Sequence, residues 1–273
     1  MKPTRIVLPF RGEFGLVVRF FVPTVHALKP DAVCIEPGTE ALFPSAARHL
    51  VVDRNEDAKR RDLYSKDAAY VAAVAAQLRR EHPGAQLLEA TEGMPEARFI
   101  PEPTVCAGID PDVVICPRRR TYGAQKNWPG WAELATALVG KGLRVFAGGA
   151  PDSSDPVPCP AAWEYPRYLD ATLEAMLAAR VVVATDAGLA HLAVLCGRPL
   201  VLIAHDGGRV APGPVLNGDG SQAFPEYWPI KLDYYYRQAN HTNAPIRVVP
   251  HGWERPEDVL AAALDMAKGA VTA

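Results

Sequence analysis

The chain has 273 residues, 29 Lys and Arg against 31 Asp and Glu, a formal net charge of −2, and 49% hydrophobic against 22% charged residues. This is the balance of an ordinary globular protein, long enough for one large or two small domains with cores of their own. It offers no global attraction to nucleic acid, holds no apolar run of membrane-spanning length, and begins MKPTRIVLPF without a signal-peptide pattern, so a cytoplasmic location is expected.

In the first third, residues 5–9 (RIVLP), 32–36 (AVCIE) and 49–53 (HLVVD) read as strands. Residues 16–28 read as a helix bent at Pro23, and residues 66–81 as a helix stopped by His82-Pro83-Gly84. Residues 84–110, rich in Pro, Gly and Glu, are expected to contain the connection between two halves. The second half restarts the rhythm: strand 112–116, helix 131–139, strand 143–147 ending in Gly148-Gly149, a Pro/Asp/Ser loop 150–160, and helix 171–179. Strand 181–184, helix 189–195 and strand 200–204 follow, then a loop-rich stretch 205–250 and an amphipathic helix 256–268. Such alternation predicts an α/β protein with parallel, doubly wound sheets. The expected architecture is two Rossmann-like domains facing across a cleft, residues 1–110 and 111–255, followed by a C-terminal helix over 256–273.

Five cysteines (Cys34, Cys106, Cys116, Cys159, Cys196) form no CxxC pair, and the seven histidines form no HExxH. Neither a disulfide framework nor a metal site is expected. Cys34, Cys116 and Cys196 lie in apolar runs and read as small core residues.

Residues 181–199, VVVATDAGLAHLAVLCGRP, are the most informative stretch. A β-branched run ends at Thr185-Asp186, and Ala187-Gly188 open an apolar helical segment. Free backbone N–H groups and the dipole at such a helix start favour phosphate. Gly188 permits close approach, Asp186 can accept from a hydroxyl, and His191 lies a turn further on. A Gly and an Asp can equally serve only to close a turn and cap a helix. The local pattern alone does not choose between the two, and His191 by itself suits a partly buried structural role.

A second, separated motif bears on that choice. Asp186-Ala187-Gly188-Leu189-Ala190-His191, taken with Lys126-Asn127-Trp128-Pro129-x-Trp131, resembles glycosyltransferase family 9, the ADP-heptose:lipopolysaccharide heptosyltransferases and their relatives. The resemblance implies a GT-B fold whose C-terminal domain holds a nucleotide-diphosphate-sugar, with no cofactor and no bound metal. It implies that Lys126, with Arg118 or Arg120 of the Arg118-Arg119-Arg120 run, offsets charge on the departing diphosphate. Asp186 would meet sugar hydroxyls, the Ala187-Gly188-Leu189 backbone would hold phosphate oxygens, and His191 would support the loop. The donor's base would lie near Gly148-Gly149. Ala187 stands where the family usually has Ser or Thr, so a hydroxyl contact is lost while the backbone role survives. Glu13, in Gly12-Glu13-Phe14-Gly15, takes the place of the catalytic base. The family usually has Asp there, with a shorter spacing to the following proline than Glu13 to Pro23. Glu13 suits a helix N-terminal charge as well.

The expected activity is therefore inverting, metal-independent transfer of a sugar to an acceptor hydroxyl, with a glycan or lipopolysaccharide core as the family's usual acceptor. A small molecule and a modified base in DNA are alternative acceptors. For DNA, Arg60-Arg61, Arg79-Arg80 and the cluster Tyr234, Tyr235 and Tyr236 would supply charge and stacking. Solvated helix faces and a packed loop account for the same residues. A different class also stays open: GT-B folds serve sugar-nucleotide epimerases, and a member without a base would be a nucleotide-sugar-binding subunit.

Overall fold

The computed structural model describes residues 3–10, 14, 17–52, 68–90, 101, 108–120, 127–204, 242–250 and 252–269. The chain divides into two compact units, residues 1–102 and 103–273.

The first unit is built on a four-stranded parallel sheet of order β3-β2-β1-β4, from β1 (Arg5–Val7), β2 (Ala32–Ile35), β3 (Arg48–Val51) and β4 (Gln86–Leu88). Ile6 pairs with Ala32 on one side and Leu87 on the other, which makes β1 central, and Ile6 and Val7 are fully buried. A π-helical turn over Val17–Phe21 passes into helix α1 (Val22–Leu28), with Pro23, near which an interruption or bend is expected, in the first turn of α1. Helix α2 (Ala68–Glu81) lays Val71, Ala75 and Leu78 against Ile6, Leu8, Ala32 and Cys34. These helix positions recur at the spacing of one helical face.

Strand β4 is not read from the sequence, which places the connection between the halves somewhere within residues 84–110. Gln86–Leu88 is three residues long and follows the turn that ends α2, so no alternation has room to show. Its position is set by pairing with β1, where Gln86 donates its N–H to Thr4 O at 2.8 Å.

The second unit carries a five-stranded parallel sheet of order β6-β5-β7-β8-β9. Its strands are β5 (Val113–Cys116), β6 (Val145–Ala147), β7 (Val181–Thr185), β8 (Leu200–Ile203) and β9 (Ile246–Val249). Strands β5 to β8 are buried throughout, as uninterrupted apolar runs in a parallel sheet should be. One face packs on helices α3 (Trp131–Gly140) and α6 (Pro256–Gly269) through Ile115, Val183, Ile203, Trp131, Leu138, Val259 and Ala263. Alternate strand residues such as Val114 and Val182 turn to the opposite face. Helices α4 (Tyr168–Ala178) and α5 (Gly188–Leu195) bury Leu173, Met176 and Leu192.

Strand β9 is not read from the sequence either, where residues 205–250 form a loop-rich stretch. Its four residues lie between Pro245 and Pro250 at the sheet's outer edge, with Ile246 and Val249 buried and the two between them not, and a short strand between prolines is tolerated there. At the amino end of the sheet Asp112 takes the Arg144 N–H at 2.9 Å and its guanidinium at 3.2 Å, with Arg180 at 3.4 Å. These hydrogen bonds hold the Asp112 carboxyl below its ordinary range. Cys34, Cys116 and Cys196 are buried as expected, and burial pushes the Cys34 and Cys196 thiols up to about 12. Among the described residues no helix is long and apolar enough to cross a membrane.

Candidate functional site

Strands β6, β5 and β7 are neighbours and parallel, so their carboxyl ends open on one edge of the second unit. Ligands of open α/β sheets bind at such an edge. From β7 the chain turns through Asp186 and Ala187 into α5 at Gly188. Ala187 is the N-cap, with φ −156° and ψ 173°, and makes no side-chain cap. A helix start presents N–H groups that lack partners within the helix, and an alanine has no oxygen to offer them. Asp186, Ala187, Gly188 and Leu189 are half-buried, and His191 is 7% exposed in the same helix. One residue earlier, the Thr185 hydroxyl is buried and has no hydrogen-bond partner among the described residues.

The end of β6 comes up beside this turn. Gly149 sits at φ 139°, a conformation that disfavours any side chain. A Cβ there would fall on the Ser154 hydroxyl and come within 3.7 Å of Leu189 Cδ1, in the first turn of α5. At Gly148 a Cβ would meet Thr172 Cγ2 at 2.9 Å. Thr172, fully buried in α4, accepts the Gly149 N–H at 3.1 Å and donates to Tyr168 O at 2.8 Å. The Gly148-Gly149 turn is thus fixed from below by α4.

The end of β5 supplies the cations. Arg118 forms an isolated bridge with Ser154, flanked by Arg119 N–H to Ser153 O at 2.8 Å and Asp155 N–H to Pro117 O at 2.7 Å. The loop after Gly149 is thereby laid along residues 117–119. Arg119 faces Asp155 at 3.7 Å, while Arg118 and Arg120 turn to Asn127. Asn127 accepts from Arg118 Nη1 at 2.5 Å and from the Arg120 N–H at 3.1 Å, and donates to Arg120 O at 2.8 Å. Behind it Trp128 is 1% exposed, edge-on to Trp131 at 5.0 Å.

Of the residues singled out from the sequence, Arg118, Arg120, Gly148, Gly149, Asp186, Ala187, Gly188, Leu189 and His191 all belong to the second unit, on segments at or following these strand ends. Glu13 and Lys126 lie outside the described residues, as do Arg60, Arg61, Tyr234, Tyr235 and Tyr236. Arg79 and Arg80 are exposed on the last turn of α2. Asn127, Ser154, Thr172 and Thr185 were not singled out. Only Asn127 carried a signal, as a spacer within the Lys126–Trp128 motif, because roles made by loop pairing leave no periodic trace. Among the described residues no three His, Cys, Asp or Glu side chains gather as metal ligands.

Neither a protein-family profile nor a curated protein sequence matches the chain. Solved structures do. ADP-heptose LPS heptosyltransferase II of E. coli superposes with a TM-score of 0.54 at 17% identity, covering 98% of this chain and 99% of that one. A glycosyltransferase of family 9 from Veillonella parvula does so with a TM-score of 0.53 at 12% identity, again covering 98% and 99%. The chain has the fold of these glycosyltransferases. The glycosyltransferase fold accounts for both sheets and for the near-complete coverage of each neighbour. The GT-B-like, two-unit α/β architecture expected from the sequence is the one found.

Proposed function

We propose that the protein is an inverting, metal-independent glycosyltransferase that moves a sugar from a nucleotide-diphosphate-sugar to an acceptor hydroxyl. One observation carries this reading. Within a glycosyltransferase fold, a helix start whose N-cap is an alanine, a glycine turn without side chains and two arginines lie at adjacent strand ends. Such an edge suits a diphosphate.

In this reading the amides of Ala187, Gly188 and Leu189 take phosphate oxygens, and Asp186 accepts from sugar hydroxyls. Arg118, Arg120 and Lys126 offset the charge that grows on the leaving diphosphate, the task a metal performs elsewhere. The Gly148-Gly149 turn borders the nucleoside base, and His191 supports the α5 turn. The acceptor oxygen attacks the anomeric carbon, and the carbon–oxygen bond to the diphosphate breaks with its electron pair leaving on the phosphate. Glu13 takes the acceptor proton. The amino-terminal unit is assigned the acceptor and the carboxy-terminal unit the donor. A glycan or lipopolysaccharide core is the proposed acceptor and the cytoplasm the proposed location. The E. coli neighbour is named for ADP-heptose, which makes an ADP-sugar the first donor to try.

The test is thermal unfolding with ADP, UDP, GDP, CDP and dTDP, each with and without EDTA. A ligand bound only by the folded state raises the midpoint according to its affinity. One preferred diphosphate should shift the midpoint equally with EDTA present, and the shift should vanish in Lys126→Ala. No shift with any of the five would overturn the reading.

A further inference from the structure

We propose that Asn127 is the positioning residue of the anion site, holding the Arg118 guanidinium and the Arg120 backbone in place for a diphosphate; the inference rests on the reading above.

The hydrogen bonds determine which way the amide faces. The Arg120 N–H needs an acceptor and the Arg120 carbonyl needs a donor, and Asn127 meets both, Oδ1 at 3.1 Å and Nδ2 at 2.8 Å. Only one orientation of the amide does so. The same Oδ1 also accepts from Arg118 Nη1. A single side chain therefore pins two of the three residues whose cations the site uses, and pairs residue 120 with residue 127. The anchor is rigid because the next residue, Trp128, is buried, packed on Trp131 and hydrogen-bonded to Gly252 O. From the other side Arg118 is held through its backbone by the bridge to Ser154.

The choice of an amide carries meaning. A carboxylate in its place would accept from Arg118 as well, but it would cancel charge needed by the ligand and face the Arg120 carbonyl with a second acceptor. A neutral acceptor orients the guanidinium without itself neutralising it. Preorganised cations then meet the diphosphate without a reordering cost at the moment of binding.

The test titrates the preferred nucleoside diphosphate of the five above into the full chain by calorimetry at fixed salt. Wild type is compared with Asn127→Leu, Asn127→Asp, Arg118→Ala and the double variant Asn127→Leu/Arg118→Ala. Unfolding midpoints without ligand monitor the fold. Asn127→Leu and Asn127→Asp should each bind about ten-fold more weakly or worse. Loss in the double variant should fall short of the product of the single losses, because Asn127 acts through Arg118. A purely structural asparagine would move the midpoint and leave affinity alone. Binding within about two-fold of wild type in either Asn127 variant, or losses that multiply, would overturn the inference and leave the transferase reading standing. A wild type that takes none of the five diphosphates overturns that reading, and this inference with it.

Discussion

The Nε1–H of Trp128 donates to the carbonyl of Gly252 at 2.9 Å, joining residues 124 positions apart. The bond ties the entry to α3 to the turn before α6, and both helices cover the same face of the sheet whose carboxyl edge holds the candidate site. Gly252 has no room to yield, since a Cβ there would lie 2.8 Å from Ile203 Cγ2 and 2.9 Å from Val259 Cγ2. Trp128→Phe removes the donor and part of a buried ring, and should cost about 2 kcal/mol. Gly252→Ala forces the turn outward and should cost about 1–3 kcal/mol. The double variant should lose less than the sum, because either change breaks the same bond. Urea unfolding of the four proteins checks this, and strictly additive losses would show that the bond does not couple the two helices.

What the sequence displayed and what it concealed divide along physical lines. The segment Val181–Thr185 followed by Asp186-Ala187-Gly188 was legible because a buried parallel strand and the helix after it each have a local signature. Gln86–Leu88 and Ile246–Val249 were not, because three or four residues beside Pro or Gly carry no pattern, and pairing with β1 and β8 decides their state. The cations proposed for the site, Lys126, Arg118 and Arg120, were visible in the sequence. The role of Asn127 in holding two of them was not, since its hydrogen bonds exist only when residue 127 returns to residue 120. Ser154 and Thr172 were hidden for the same reason, both being partners of backbone that the sequence does not bring near.

Gly149→Ala should be among the more damaging single-methyl additions in the second unit. The backbone at φ 139° disfavours a side chain, and the new Cβ would push on the Ser154 hydroxyl whose backbone holds Arg118. The strain should cost about 1–3 kcal/mol. Diphosphate affinity should fall with it, because the bridge to Arg118 loosens. Gly140→Ala is the comparison: it ends α3, with nothing within 4 Å of the added carbon. That change should be neutral or stabilise by up to about 1 kcal/mol. Thermal unfolding and calorimetric titration of the two variants separate the cases, and equal behaviour would contradict the assignment of the turn.

Acid should weaken the two units in different pH windows. In the first unit His26, whose ring donates to Leu42 O at 3.4 Å, is lowered by burial from 6.5 to about 4. Between those values the unfolded chain binds the proton and the folded chain does not, so stability falls as pH drops from 6.5 towards 4. In the second unit the Arg144 hydrogen bonds depress Asp112, whose contribution is complete above the unfolded value of 3.8 and is lost only as pH falls below it. His26→Gln should therefore flatten the slope of urea midpoint against pH in the higher window, and Asp112→Asn in the lower. A His26→Gln protein with the wild-type slope between pH 6.5 and 4 would exclude this histidine as the source.

Ala187→Ser should both stabilise α5 and tighten the site. The N-cap backbone is already extended at φ −156° and ψ 173°, the conformation from which a serine oxygen reaches the N–H groups of the following turn. No rearrangement is needed to accept the hydroxyl, and the residue is half-buried, so the new bond would be partly shielded from water. The gain should be about 1 kcal/mol. In a chain of this length that is a rise of roughly 2–4 °C in the unfolding midpoint. The same hydroxyl can donate to a phosphate oxygen while its lone pair faces the amides, which restores the contact the family resemblance implies and this sequence lacks. Affinity for the preferred nucleoside diphosphate should therefore rise about three- to ten-fold, the worth of one hydrogen bond to a charged partner in a partly wet site. A higher midpoint with unchanged affinity would place the diphosphate away from residue 187. A lower midpoint would mean that the first turn of α5 is already capped by something the serine displaces.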